Sequence, residues 1–298
     1  GKHVQNALTV VKVAGIGLMV VLLYWRGNTA MLRANMIVHA RPVHATTIGI
    51  ALVAVLWAYD GWHIISFAAG EIRDPGRTLP KSLLIGTVLT TAIYLITNVA
   101  YYAVLSPSSM RGSDRVAATA VEHVLGSGAG VLMSILIVIS ILGAINGVML
   151  GAPRVNLAMA RDGLFFRQFA RVSRRTHAPV VATVAQGLWA MLFTLLASFR
   201  ELFTSYVFTS WIFYGLSVAA VIVLRQRRPG MKRPYLCPWY PMTPVFFILA
   251  SLGIVVTAFI VDLKQALIGI GLILVGFPMY FVFRYTEKRY PLQSEDRN

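Results

Sequence analysis

Asp60 is followed at once by Gly61 and, three residues on, by His63, inside an apolar run that also carries Trp57, Tyr59 and Trp62. An ionised carboxylate is costly in hydrocarbon, so a carboxylate beside a flexible glycine marks a place where a helix opens toward water or a polar ligand. That combination suits recognition of a polar solute within a membrane, and it suits other chemistry less well. An intramembrane aspartyl protease needs two opposed carboxylates that divide acid and base duties. Tyr59-Asp60 supplies one half of such a site, but of the eleven acidic residues only Asp60 falls deep inside an apolar stretch. Asp60 and His63 would share one face of an intact helix. A metal site wants a third and a fourth ligand, and none lies at that depth. His63 either lines the same water-accessible break or bonds a neighbouring helix. No nucleophile, base and orienting group can be assembled, so no catalytic residue, metal site or cofactor is expected.

Three further features bear on a membrane site. Lys12 lies about two turns into the first apolar stretch, where it either snorkels toward the interface or acts as a fixed cation that binds helix-end carbonyls. Gly143, Gly147 and Gly151 recur every four residues and predict close helix packing, with Asn146 between them as a site residue or an interhelical hydrogen-bond partner. Trp57, Tyr59, Trp62 and Trp211 lie too deep for an interfacial belt. They are expected as pocket walls or gates, with plain core packing as the alternative.

The elements that must position these groups follow from composition. With 57% hydrophobic residues, 13% charged ones and a mean hydropathy of +0.69, the chain belongs in a bilayer. A span needs roughly 20 apolar residues, and eight stretches qualify: 7–25, 47–70, 82–105, 128–152, 179–199, 205–224, 244–261 and 266–283. They form one membrane domain over residues 1–298. The net charge of +16 is unevenly spread, with 20 of the 27 Lys and Arg residues on the ends and alternate loops that share one side. The positive-inside rule places that side, with both termini, in the cytoplasm, as expected for a multi-pass protein of the cell's inner (plasma) membrane. Arg26, Arg33 and Arg41 run against this bias. The basic face reads as a topology signal and a contact with anionic lipid, not as a nucleic-acid site. Cys237 is the single cysteine, which excludes an intramolecular disulfide and reads as a structural thiol.

Most connections are short. Residues 28–45 read as a mixed polar loop, and 107–126 holds a short helix over 114–125. In 153–178, apolar Leu157, Leu164, Phe165, Phe169 and Val172 are set among arginines, which predicts a segment along the membrane surface or an extension of the fourth span. The chain opens at Gly1 with no recognisable signal peptide and enters its first span almost at once, an arrangement expected of an N-terminal truncation.

The sequence WAYDGW (57–62) with GEIRDPGRTLPKSL after it, NGVMLGAPR (146–154) with ARDGLF following, RQRRPGMKRPYLCPWYPMTPVFFILASL (225–252) and GFPMYFVF (276–283) together resemble the amino acid-polyamine-organocation transporter superfamily, most closely its L-type amino acid transporter branch. The resemblance covers nearly the whole chain. It implies an all-α membrane protein with the inverted-repeat transporter fold, matching helices five to twelve of twelve, so that the first four helices, including the broken first helix whose amides hold the substrate carboxylate, are missing or belong to a partner chain. It further implies that the carbonyls of Trp57, Ala58 and Asp60, at the break made by Gly61, receive the ammonium group of an amino acid substrate. Trp57 serves as an aromatic gate, His63 lies near the substrate, and Trp211 bounds the pocket. Lys12 matches the lysine that replaces sodium in sodium-independent members, which makes Lys12 and Asn146 the coupling candidates. Two positions depart from the pattern. Asp60 stands where many relatives have glycine, so its charge is expected to attract a cationic substrate or to titrate. Ala144 and Val148 stand where serines are expected.

The function expected from these residues is secondary amino acid transport by alternating access. A truncated, non-transporting membrane remnant or assembly module is the alternative.

Overall fold

An apolar helix of 25 residues, rising 1.5 Å per residue, reaches about 37 Å and can cross the ~30 Å hydrocarbon core; α1 (Lys2–Arg26) is such a helix. The computed structural model describes residues 2–37 and 45–289. After α1 come α2 (Thr29–Met36), α3 (Ala45–Ala58), α4 (Ile64–Phe67), a 3-10 turn (Ala69–Glu71), α5 (Pro75–Tyr102), α6 (Pro107–Arg111), α7 (Val116–Leu125) and α8 (Ser127–Gly151). The chain continues through α9 (Pro153–Arg161), a second 3-10 turn (Arg167–Ala170), α10 (Val180–Leu196), α11 (Phe199–Arg227), α12 (Met242–Val261) and α13 (Leu263–Arg289). The described residues are all-α, as expected.

Among the described residues, six helical stretches are long and apolar enough to span a membrane without interruption. The stretch 47–70 divides after Ala58, and 179–199 becomes α10, of 17 residues. Hydropathy sums side chains and does not register where the backbone turns, so a broken helix with apolar flanks reads as one span.

The helices cluster into two compact units. The first holds α1, α2, α6, α7, α5 from Lys81 onward and nearly all of α8. Its core joins Met19 and Leu23 of α1 to Ala100 near the end of α5, to Val104 and Leu105 just beyond it, and to Ala120 of α7. The expected loop 28–45 contains α2. Asn28 caps it by accepting the Ala30 and Met31 amides. Asn35 donates to the Tyr102 and Leu105 carbonyls, acceptors that a helix end leaves without internal partners. Arg26 and Arg33 occupy the last turns of α1 and α2, where a cation meets the negative end of the helix dipole. That local role accounts for two of the three discordant arginines; Arg41 lies outside the described residues.

The second unit holds α3, α4, the first turns of α5, and α9 to α13. Its organising element is α11, begun by a capping box in which the Ser198 hydroxyl accepts the Glu201 amide and the Glu201 carboxylate accepts the Ser198 amide. Phe208, wholly buried, packs against Ala258 of α12 and Ala266 of α13. A Cβ on Gly269 would come within 2.7 Å of the Phe208 ring, so glycine is what lets α13 approach α11 here. With this face of α11 held, its other faces are free to meet α3 and α4. In the basic stretch 153–178, Phe165 meets Phe169 edge-on and tilts against Phe283 of α13. Some of its apolar residues therefore pack within the protein.

Candidate functional site

The site begins where α3 ends. The Asp60 amide donates to the Trp57 carbonyl at 2.9 Å, and Gly61 adopts φ of +103°, an angle that is inexpensive only for glycine. A Cβ there would have room, its nearest neighbour being Ile64 Cδ1 at 3.9 Å. The requirement for glycine is thus one of backbone angle and not of space. The chain turns through residues 59–63 and re-enters a helix at Ile64.

This turn presents the Asp60 carboxylate to α11. The Tyr206 hydroxyl donates to Oδ2 at 2.8 Å and the Tyr214 hydroxyl to Oδ1 at 2.9 Å. A phenol has one proton, so Tyr214, having given its own to Asp60, accepts from His63 Nδ1 at 2.9 Å. The network thereby assigns a hydrogen to Nδ1. His63 Nδ1 and Asp60 Oδ1 stand 3.8 Å apart, too far for a direct hydrogen bond, and Tyr214 bridges them. The side chains of His63 and Asp60 remain 15% and 21% exposed, so solvent or a solute reaches both.

Three tryptophans enclose the network. Trp57 lies edge-on to Phe203 at 4.9 Å and to Tyr206 at 5.3 Å. Trp62 is 5.8 Å from the His63 ring and 5.7 Å from that of Tyr214. Trp211 meets Tyr214 at 5.8 Å and stacks on Phe247 of α12. An ionised carboxylate offers about four acceptor positions. Two are filled by neutral phenols here, which leaves capacity for an ammonium, a guanidinium or a proton.

The structure gathers Trp57, Asp60, Gly61, His63 and Trp211 around one network, with Ala58 closing α3. The Trp57 carbonyl, one of those expected to receive a substrate ammonium, accepts the Asp60 amide and keeps a second lone pair. Lys12 and Asn146 belong to the first unit. Asn146 donates to Gln5 Oε1 at 2.6 Å, and a Cβ on Gly143 would lie 3.2 Å from Leu8 Cβ. Gly143 and Gly147 of the small-residue stripe thus pack α8 against α1, Gly151 instead meets Ile64 of α4, and Asn146 makes the bond to α1. Gly15 meets Leu136 of α8. Lys12, four residues after Leu8 and three before Gly15, lies on that same face of α1 and is partly buried. Among the described residues, no three His, Cys, Asp or Glu side chains gather as a metal site.

Four contributors escaped the sequence reading. Tyr206 and Tyr214 are eight residues apart on α11, and a phenol deep in an apolar helix calls for a polar partner; that was the available signal. Glu71 and Arg154 lie in two of the motifs quoted above, and nothing in either motif names the other as partner. Arg154 Nε and Nη2 donate to the two Glu71 oxygens at 2.6 and 2.7 Å, a bidentate pair tying the 3-10 turn beyond the break to α9. The hydrogen bond from Arg154 holds the Glu71 carboxyl below its ordinary range.

Several known proteins are similar to this chain in sequence. The chain is 31% identical to the serine/threonine exchanger SteT of Bacillus subtilis, over 94% of its own length and 64% of that protein. It is 29% identical to the human b(0,+)-type amino acid transporter 1, over 95% of its own length and 58% of the relative. To the human cystine/glutamate transporter it is 28% identical, over 84% and 49% respectively. The chain therefore spans less than two thirds of each of these relatives. The break at Gly61 beside a partly buried carboxylate lies within the match to the amino acid permease family, which covers residues 1–283, and the chain belongs to that family.

Proposed function

We propose that the protein is a secondary amino acid permease or exchanger that works by alternating access, with its substrate bound at the break around residues 57–61. The observation that carries this reading is the Asp60 carboxylate, held by Tyr206 and Tyr214 at a backbone break and bridged to His63. The substrate ammonium is received at this turn, by the Asp60 side chain and the carbonyls of Trp57, Ala58 and Asp60, and a cationic side chain adds to the attraction. Trp57 and Trp211 bound the pocket, and Lys12 takes the place of a sodium ion. The partial burial of Lys12 on the α8-facing side of α1 favours this role over snorkelling. Helices covering the rest of the relatives' length, in the same chain or in a partner, complete the site and supply the contacts to the substrate carboxylate. The protein lies in the plasma membrane with both termini in the cytoplasm.

The test is counterflow of radiolabelled amino acids by the complete protein in proteoliposomes. Exchange is expected with choline replacing sodium, with Lys12→Ala reducing it. A protein shown to be folded that exchanges no amino acid would reverse the reading in favour of a non-transporting module, and a strict sodium requirement would remove Lys12 from its role.

A further inference from the structure

Beside the aromatic network, along the face of α11 that carries Tyr214, runs an apolar groove of about 570 Å³. Val218, Val221 and Leu224 of α11 form one wall, and Pro244 and Phe247 of α12 contribute to the other. Trp62, in contact with Tyr214, stands toward one end, and Arg225 marks the other. From Tyr214 to Arg225 a helix advances about 16 Å, the depth of one leaflet of a ~30 Å hydrocarbon core.

The charge is confined to the Arg225 end. The Arg225 guanidinium stacks over the Tyr240 ring at 3.9 Å, which fixes its plane and leaves its N–H edge available to an anion. Arg233 donates to the carbonyls of Arg228, Pro229 and Met231. It thus folds the 228–233 loop into a shelf while keeping its own positive charge. Arg227 at the end of α11 and Arg228 and Lys232 on that loop are exposed, and the sequence has no carboxylate between Glu201 and Asp262. A long apolar channel, of leaflet depth, with a run of cations at one end, has the complementarity of a single amphiphile.

We infer that this groove is a binding site for an anionic phospholipid of the surrounding bilayer, with an acyl chain along α11 toward Trp62 and the phosphate against Arg225. Basic pockets between membrane helices recognise such headgroups. The lipid would lie against the outer face of Trp62, whose inner face packs on His63 and Tyr214. Its occupancy therefore bears on the rigidity of that network, although lipid binding itself does not depend on the transport reading.

Cys237 also lines the groove and reports on it. The experiment follows alkylation of Cys237 by N-ethylmaleimide, read by mass spectrometry of its peptide, in the purified protein in a neutral detergent. Added dioleoyl-phosphatidylglycerol is expected to slow labelling saturably, and dioleoyl-phosphatidylcholine to do so far less. Arg225→Gln is expected to raise the phosphatidylglycerol concentration needed by about fivefold without changing the lipid-free rate. Leu224→Trp, at an exposed wall position, is expected to abolish protection by filling the groove, which keeps the test decisive should Arg225→Gln fold poorly. Equal protection by both lipids, protection by inorganic phosphate alone, or a Cys237 unreactive under every condition because other protein covers the groove would each overturn the inference.

Discussion

The turn at residues 59–63 and the α1–α8 contact both place polar side chains inside apolar helices, and they do so by opposite means. At Asn146 the helix stays intact, glycines bring the neighbour close, and one amide bonds one amide. At Asp60 the helix stops, and a carboxylate is satisfied by two phenols and, through one of them, an imidazole. A neutral amide brings no charge to attract an ion. A carboxylate bound by two phenols still keeps capacity for a cation, so the second arrangement is the better equipped to bind one.

The largest expected effect comes from undoing the break. Gly61→Val places a β-branched residue at φ +103°, a strain on the order of 1–3 kcal/mol. Uptake is predicted to be lost while the protein still inserts, as judged by membrane fractionation and a monodisperse elution profile. Normal uptake by Gly61→Val would mean that the turn is not required.

Next is the carboxylate itself. Asp60→Asn keeps the shape and removes the charge, and it is predicted to weaken transport of cationic amino acids relative to neutral ones by about tenfold or more, the range for hydrogen bonds to charged groups of ~1.5–3 kcal/mol. Competition between labelled neutral and unlabelled cationic substrates measures it. An unchanged ratio would make Asp60 a structural anchor of the turn, like Asn146 in its own helix.

Removing one donor should cost less. Tyr214→Phe breaks both the bond to Asp60 and the bridge to His63, whereas Tyr206→Phe breaks only the bond to Asp60. Tyr214→Phe is therefore predicted to be the more damaging, by roughly 1 kcal/mol, in substrate affinity measured by scintillation proximity. Equal effects would mean that His63 takes no part.

The smallest effects lie away from the break. Asn146→Leu is predicted to lower thermal stability by about 0.6 kcal/mol, the average for hydrogen bonds between membrane helices, with the substrate profile intact. A change in specificity would place α8 in the site. The Glu71–Arg154 pair adds a pH test. Because the folded protein holds the Glu71 carboxyl below its ordinary range, the pair's contribution is present above the unfolded carboxyl's pKa and is lost as pH falls through the folded one. Glu71→Gln should flatten the acid limb of a melting-temperature profile, and only slightly, since the Glu71 side chain is 61% exposed. A mutant whose acid limb matches the parent's would remove the pair from the stability of this face.

How much was legible in the residues varies with the kind of interaction. The break at Gly61 could be read because a charge in hydrocarbon and a glycine beside it are local facts, and the glycine stripe could be read because helical period sets which residues share a face. Hydropathy alone runs 47–70 as one stretch because apolar side chains flank a backbone that turns, and only the carboxylate and the glycine mark the break. The arginines at 26 and 33 looked discordant as topology signals, because their role at helix ends depends on where α1 and α2 stop.

By itself, then, the sequence determined that this is an all-α membrane protein of the amino acid permease family with one carboxylate inside an apolar stretch, at a weak point in a helix. These properties follow from hydrophobicity, local backbone preference and motif. Only the tertiary structure decided that Tyr206 and Tyr214 hold Asp60 from 146 and 154 residues away, that Tyr214 carries the link to His63, and that Arg154 closes on Glu71. The physical reason is that a hydrogen bond depends on distance and direction in space, and helix packing sets these for residues that sequence separation leaves unrelated.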